Sequence, residues 1–436
     1  MVPVRGDAAK VSARVESLGG ESTSDKLIPS TRVPLATIAD WLAVTLAASL
    51  PWSTSATGIL AALWALALLP TLDLAALRRE LCTSAGGLPV ALWLLAAAGM
   101  AWADVAWPER IASLAGFLKL LAIPLLLAHF RRSDKAAWVL AAFLLACALL
   151  LATSYFIALW PGLTWRGVRG GVGVPVKDYI AQSGEFAICV FALLPIAMST
   201  LRARPWIALG CLALIALFLI DLLYFATART ALVVMIVLLL VFSFRQFGWR
   251  KGSLALVGAM LVASAIWQSS AFLRMRVGMV PAEVERYWSD NTRTPSGERL
   301  EYWRKSVAFI ADAPVLGQGT GSIQELFRRS AVGDEGASAL VSGNPHNQTL
   351  AIGIQLGIVG AIVLWAMWIS HLMLFRGHGL PAWIGLLVVL QNIVSSLFNS
   401  HLFDFTQGWI YVVGVGVAGG AVLRERRVGW VSGTAS

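Results

Sequence analysis

The chain has 436 residues, 58% of them hydrophobic and only 13% charged, with a formal net charge of +10. Soluble domains carry about 25% charged residues, so a soluble globular fold is excluded. Apolar runs of roughly 20 residues, each long enough to cross a bilayer, recur along the chain and mark an all-α polytopic membrane protein.

In chain order, residues 1–33 are polar and carry Arg5, Lys10, Arg14, Lys26 and Arg32. They lack the short apolar core and small-residue cleavage site of a signal peptide, and are expected to form a cytoplasmic tail. Twelve spans are then expected, at about 34–51, 55–74, 88–106, 111–129, 136–160, 179–200, 205–225, 230–247, 252–270, 347–375, 381–402 and 406–423. Residues 34–270 thus form a first membrane block and 347–423 a second, with a long loop at 271–346 between them and a C-terminal tail at 424–436. Cys82, Cys147, Cys189 and Cys211 lie in or beside apolar runs, with neither CxxC nor zinc spacing, which points to packing.

Lys and Arg set the orientation. With the N-terminus inside, the cytoplasmic loops hold Arg78, Arg79, Arg131, Arg132, Lys135, Arg202, Arg204, Arg245, Arg250, Lys251 and Arg376, and the C-terminal tail adds three more arginines. Both termini are expected to be cytoplasmic. Several cations run against this pattern at the outer face: Arg166, Arg169 and Lys177 in the 161–178 loop, Arg229 in the next outer turn, and the basic residues of the long loop. An anionic ligand at that face would favour them, and pairing with nearby carboxylates is the alternative.

The long loop is expected to be mostly helical. In "TPSGERLEYWRKSVAFIADAP", Thr294 is a helix N-cap before Pro295, and Leu300, Trp303, Val307 and Ile310 recur at helical spacing. In "SIQELFRRS", Ser322 and Glu325 have the spacing of a capping box. Both helices are too short to span and are expected to lie on the outer surface or over a cavity. "GQGTG", Gly317 to Gly321, lacks the frame of a dinucleotide loop and is expected to be a tight turn.

"SGNPHNQTL" opens the tenth span. Asn344 is the expected N-cap, with Pro345, His346 and Asn347 in the first turn. The partial positive charge at a helix start disfavours imidazolium, so His346 is expected to stay neutral and able to accept a proton. A local hydrogen-bonding role is the plainer alternative. Of the other histidines, only His401 lies at the outer end of a span.

"PHNQTL" (Pro345–Leu350), "SGERLEYWRKSVAFIADAPVLGQGTG" (Ser296–Gly321) and "TARTAL" (Thr227–Leu232) resemble, in order, the signatures of the O-antigen ligase and polymerase family, over about residues 200–436. The resemblance implies a GT-C-like glycosyltransferase of the bacterial inner membrane, with its active site facing the periplasm. By the same resemblance it would need no metal or other cofactor. The donor would be a glycan on undecaprenyl pyrophosphate and the acceptor a sugar hydroxyl of the lipid A core; membrane lipids would be partners and nucleic acid would not. The residues carried over are His346, Arg299 and Arg229. Arginine binds phosphate oxygens bidentately, so Arg229 and Arg299 are expected on the pyrophosphate, helped by Arg166, Arg169 and Lys177. His346 is the expected general base, with Asn347 orienting it or the acceptor, and Trp303 anchors at the interface or stacks on sugars. O-antigen polymerase and protein O-oligosaccharyltransferase differ from the ligase only in acceptor. A twelve-span transporter is the alternative of another class; the single deep cation, Lys119, gives it little support.

Overall fold

The computed structural model describes residues 32–160, 173–225 and 228–431. These form α-helices joined by turns, with no strand among the described residues. The helices are α1 (Arg32–Ser49), α2 (Thr54–Leu68), α3 (Leu74–Leu81), α4 (Ser84–Gly99), α5 (Trp107–Leu118), α6 (Ala122–Phe130), α7 (Ala136–Leu159) and α8 (Tyr179–Thr200). Then follow α9 (Pro205–Tyr224), α10 (Arg229–Ser269), α11 (Ala271–Asp290), α12 (Pro295–Asp312), α13 (Ile323–Arg329), α14 (Gln348–Leu374), α15 (Leu380–Ser395) and α16 (Phe405–Val431).

Among the described residues, eight helices are long and apolar enough to cross a membrane, or nine if α3 and α4, bent by 81°, are one span. Two shorter apolar helices, Pro34–Ser49 and Leu380–Ser395, coincide with the first and eleventh expected spans. The eighth and ninth expected spans both lie in α10, whose 41 residues are two helical runs joined at a kink. At 1.5 Å per residue it would be about 60 Å long, twice a bilayer core. Gly248, at φ 68°, breaks it between the two expected runs. Three boundaries differ from expectation, the third run ending at Gly99 rather than near 106. The eleventh run stops at Ser395, because residues 396–404 turn back on themselves. The last helix continues through Val431, so most of the expected C-terminal tail is helical.

The two ends of the bundle are built differently. At one end, basic side chains hold helix termini. Arg131 pairs with buried Glu80 at 2.7 Å, Arg426 donates to Leu374 O at 2.9 Å, and Arg245 donates to the carbonyls of Phe375 and Gly377. Cations suit these last carbonyls of α14, which lack intrahelical partners. The opposite end carries α11–α13 and the turns around 50, 101 and 400. Lys119, the deep cation, donates to Phe403 O at 3.1 Å and Asp404 O at 2.7 Å, and so fixes the 400–404 turn.

Between the ends, helices are held by close packing and by fully bonded polar pairs, since lipid supplies no hydrophobic drive for helices to associate. Trp64 Nε1 donates to His129 Nδ1, whose Nε2 lies 2.9 Å from Asp40 Oδ1; His371 lies 2.6 Å from the Tyr411 hydroxyl and 2.9 Å from Ala85 O.

The glycine-rich segment after α12 does more than turn. α14 breaks at Gly357, at φ 60°, which releases backbone groups inside the bundle. Residues 314–319 take them up. Gln318 N donates to Ile354 O at 2.8 Å and Gly319 N to Gln355 O at 2.9 Å, while Ile358 N donates to Pro314 O at 2.9 Å. Irregular backbone at membrane depth is tolerated where protein satisfies it in this way. A Cβ on Gly357 would stand 2.2 Å from Val315 O, so only glycine allows the approach. Tyr302, Phe309, Ile323, Phe327, Ala351 and Ile354 form a small separate core that clamps α12 and α13 onto the start of α14.

Candidate active site

Two of the three signature segments meet in one cavity, and the third lies beside it. α12 opens as expected, with Thr294 Oγ1 accepting from Gly297 N at 3.1 Å and Pro295 in the first turn. Ser296 and Arg299 are three residues apart on this helix and therefore share a face. That face meets Arg229, the first residue of α10, and Glu283 of α11. Arg229 binds Glu283 through both terminal nitrogens, at 2.9 and 2.8 Å, and its Nε donates to Arg276 O at 2.7 Å. Ser296 completes the group by donating from Oγ to Glu283 Oε2 at 2.5 Å. The Arg229 guanidinium and the Ser296 hydroxyl hold the Glu283 carboxyl down at about 2, well below its ordinary 4.5.

A cavity of about 110 Å³ opens here, lined by Tyr179, Arg229, Arg276, Glu283 and Arg299 among others. Three arginines against one carboxylate leave its wall with a net charge of +2. Arg276 lies over the Tyr179 ring, 5.3 Å from its centroid. Arg299 makes no hydrogen bond or ion pair among the described residues, and burial lowers its guanidinium from the usual range. It is the cation whose fork is open.

His346 lies beside Arg299, but not in the first turn of a helix. The expected N-cap and first turn are corrected here. α14 starts at Gln348, capped by Asn347, whose Oδ1 accepts from Leu350 N at 3.1 Å. Asn344 instead turns the chain: its Oδ1 accepts from His346 N at 2.8 Å, and its Nδ2 donates to Asn399 Oδ1 at 2.8 Å. This places His346 at φ 54°, a conformation rare outside glycine and common where a site fixes its geometry. Its ring stacks on Tyr302 at 5.6 Å and 17°, and Trp303 Nε1 donates to its carbonyl at 3.4 Å. Its Nδ1 is buried without a hydrogen bond. Burial first, then the charge of Arg299, lowers the pKa of His346 from 6.5. The neutral imidazole expected from the sequence is therefore favoured, but by desolvation and an arginine rather than by a helix terminus.

The remaining expected residues fall in several places. Trp303 stands next to His346. Asn347 has its side chain taken up by the α14 cap and by Leu397 O, 3.2 Å away, so it holds the helix start rather than the imidazole. Lys177 donates to Leu50 O and, at 2.9 Å, to Thr406 Oγ1, and lies 3.8 Å from buried Glu185. It ties α1, α8 and α16 together and does not line the arginine cavity. Arg166 and Arg169 lie outside the described residues. The capping box at Ser322 does not form, because Ser322 Oγ donates to Gly319 O and Glu325 is bound by Arg328 and Arg329. Sequence reasoning missed Glu283 and Arg276 because α11 went unrecognised; the helical spacing of Val284, Tyr287 and Trp288 was the available signal. It also missed Tyr302 as the ring under His346 and Asn399 as the partner of its turn. Among the described residues, no three His, Cys, Asp or Glu side chains gather as metal ligands would.

Residues 187–365, from α8 into α14, match the family model described as O-antigen ligase, and that stretch contains Arg229, Arg299 and His346. The chain carries a domain of the O-antigen ligase family. An uncharacterized protein of Haemophilus influenzae is 24% identical over 176 residues, which are 38% of this chain and 43% of that protein. The matched segment thus spans less than half of the relative's length. Within the matched residues Arg229 opens α10, Arg299 lies on α12, and His346 lies in the turn before α14.

Proposed function

We propose that this protein is an inverting glycosyltransferase that moves O-antigen glycan from undecaprenyl pyrophosphate to a sugar hydroxyl of the lipid A core, at the periplasmic face of the inner membrane. The supporting observation is the meeting of Arg229 and Arg299 at one cavity of net charge +2, with a half-buried histidine beside Arg299. A sugar pyrophosphate already has a good leaving group. The bond between the anomeric carbon and the phosphate oxygen breaks, and the pyrophosphate keeps the electron pair. The acceptor oxygen bonds to the opposite face of that carbon, and its proton passes to the imidazole of His346.

Arg299 meets the pyrophosphate directly, since its fork is open. Arg229, held by Glu283, and Arg276 add charge from the wall. Charge developing in a site screened from water is stabilised more strongly than in solution. These fixed guanidinium groups do the work a divalent metal does in other transferases, so activity should survive EDTA. The Lys and Arg distribution supports placing this end of the bundle in the periplasm.

The test is transfer by purified protein in detergent, with lipid-linked glycan and lipid A-core. Product should form with wild type and fail with Arg299→Ala and His346→Ala. Glycan chains that lengthen on the polyprenyl carrier instead would make the protein a polymerase, and glycosylated protein would make it an oligosaccharyltransferase.

A further inference from the structure

His401 lies in the turn between α15 and α16, is 3% exposed, and neither ring nitrogen makes a hydrogen bond. Buried polar atoms are nearly always bonded, so two orphaned nitrogens on one ring call for a partner. The ring borders a small void of about 10 Å³, with room for about one water-sized group, that is also lined by Ile180, Ala228, Thr230, Gln391 and Gln407. Ile180, Ala228 and Thr230 line the arginine cavity too, so the two spaces adjoin.

The chemistry of the lining narrows the occupant. Gln391 is 3% exposed and its Nε2 is taken up, donating to Gly184 O at 3.1 Å and to Gln407 Oε1 at 3.3 Å. Its Oε1 is left without a donor. A neutral imidazole offers one donor and one acceptor. One group in so small a void can meet only one of the two ring nitrogens, so His401 and Gln391 together offer it the imidazole N–H as donor and Gln391 Oε1 as acceptor, with no fixed charge. An anion would face the lone pairs of Gln391 Oε1 and of the imidazole. A hydroxyl that accepts from the imidazole N–H and donates to Gln391 Oε1 bridges the two residues.

We propose that His401 and Gln391 form a hydroxyl subsite that holds one hydroxyl of the donor's first sugar, the sugar joined to the pyrophosphate in the arginine cavity. The proposal rests on the functional reading above and adds the group by which that sugar is recognised. The first sugar is favoured over the acceptor because the void adjoins the arginine wall. A trapped water can make the same two bonds and is the competing source.

The experiment is steady-state transfer by full-length protein in detergent, with His401→Phe, Gln391→Leu and His401→Gln. Phe and Leu fill the space without polar atoms. Each should raise KM for the lipid-linked donor about tenfold, the effect of one lost hydrogen bond of roughly 1.4 kcal/mol. The KM for acceptor should stay within about twofold and kcat within about threefold. His401→Gln, which keeps a donor and an acceptor, should recover most of the donor affinity. Binding of inorganic pyrophosphate alone should be unchanged in all three, though Arg299→Ala weakens it. Donor KM within about twofold of wild type in both apolar variants would overturn the subsite. So would a fall in kcat and thermal stability that His401→Gln does not rescue. Should His401→Phe fail to fold, Gln391→Leu and a donor-bound structure decide. A sugar hydroxyl at His401 supports the proposal, and a retained water there refutes it. If Arg299→Ala and His346→Ala are dead while the apolar variants are normal, only the subsite falls; if Arg299→Ala and His346→Ala stay active, the functional reading itself fails.

Discussion

Replacing Glu283 by Gln removes one charge from the pair that fixes Arg229 and leaves the size of the side chain almost unchanged. The carboxyl is held at about 2 against an ordinary 4.5, and the residue is 4% exposed. At 1.36 kcal/mol for each tenfold, that difference makes the ionised state worth roughly 3 kcal/mol to the fold at neutral pH. Gln retains hydrogen bonds, and Arg229 keeps some contact with water, being 20% exposed in its side chain. The expected loss is therefore about 2–3 kcal/mol at pH 7. The sign with pH follows from the lowered pKa. The contribution is complete above about 4.5 and is lost as pH falls toward about 2. Equilibrium unfolding of wild type and Glu283→Gln in detergent, at several pH values, measures it. The gap between the two proteins should be full at pH 7 and narrow as pH drops below about 4.5. A gap that stays the same down to acid pH would refute the assignment of this stability to the Arg229–Glu283 pair.

Gly357→Ala forces a Cβ to 2.2 Å from Val315 O at a φ of 60°, and Val315 is tied down by Val359 N. Left-handed strain of about 1–2 kcal/mol and overpacking of about 1–3 kcal/mol should lower the unfolding temperature clearly and reduce transfer; an unchanged melting curve would sink the reading of the α14 break. Arg299→Ala should strongly weaken binding of inorganic pyrophosphate by isothermal titration, and Arg299→Lys should restore little, because a point charge replaces a bidentate fork; binding as tight as wild type in both would refute the open-fork assignment. Ser338→Cys, in a background without native cysteines, should react with an impermeant maleimide in intact spheroplasts, whereas Ser24→Cys and Ser436→Cys should not. The reverse pattern would invert the orientation.

The membrane architecture was legible because lipid demands long apolar runs, which read directly from residues such as those of α7 and α9. The catalytic candidates were legible because their residue types are unusual at that place: an arginine at the outer end of an apolar run, and a histidine beside a proline. What stayed hidden depends on partners distant in sequence. Two asparagines flank Pro345 and His346, and either could cap a helix. Asn344 is taken by the turn it makes with His346 and Asn399, so Asn347 caps instead. Nothing near Gly357 signals a break, because the groups that fill it come from residues 314–319. Glu283 and Arg229 are 54 residues apart, and their pairing needs α11 to fold back against the start of α10. Lys177 reads as a spare outer cation, yet Leu50 O, in the turn after α1, and Thr406 of α16 hold it.

The most direct test of the account is the rate of glycan transfer by His346→Gln, measured with purified protein, lipid-linked glycan and lipid A-core under saturating substrate. Gln retains hydrogen bonding at the site but cannot accept the proton at neutral pH. General-base assistance is worth about 10²–10⁴ in rate, so a loss of that order is expected while inorganic pyrophosphate still binds through the arginines. Retention of most of the wild-type rate by His346→Gln would contradict the account, because the proton of the acceptor hydroxyl would then leave by another route.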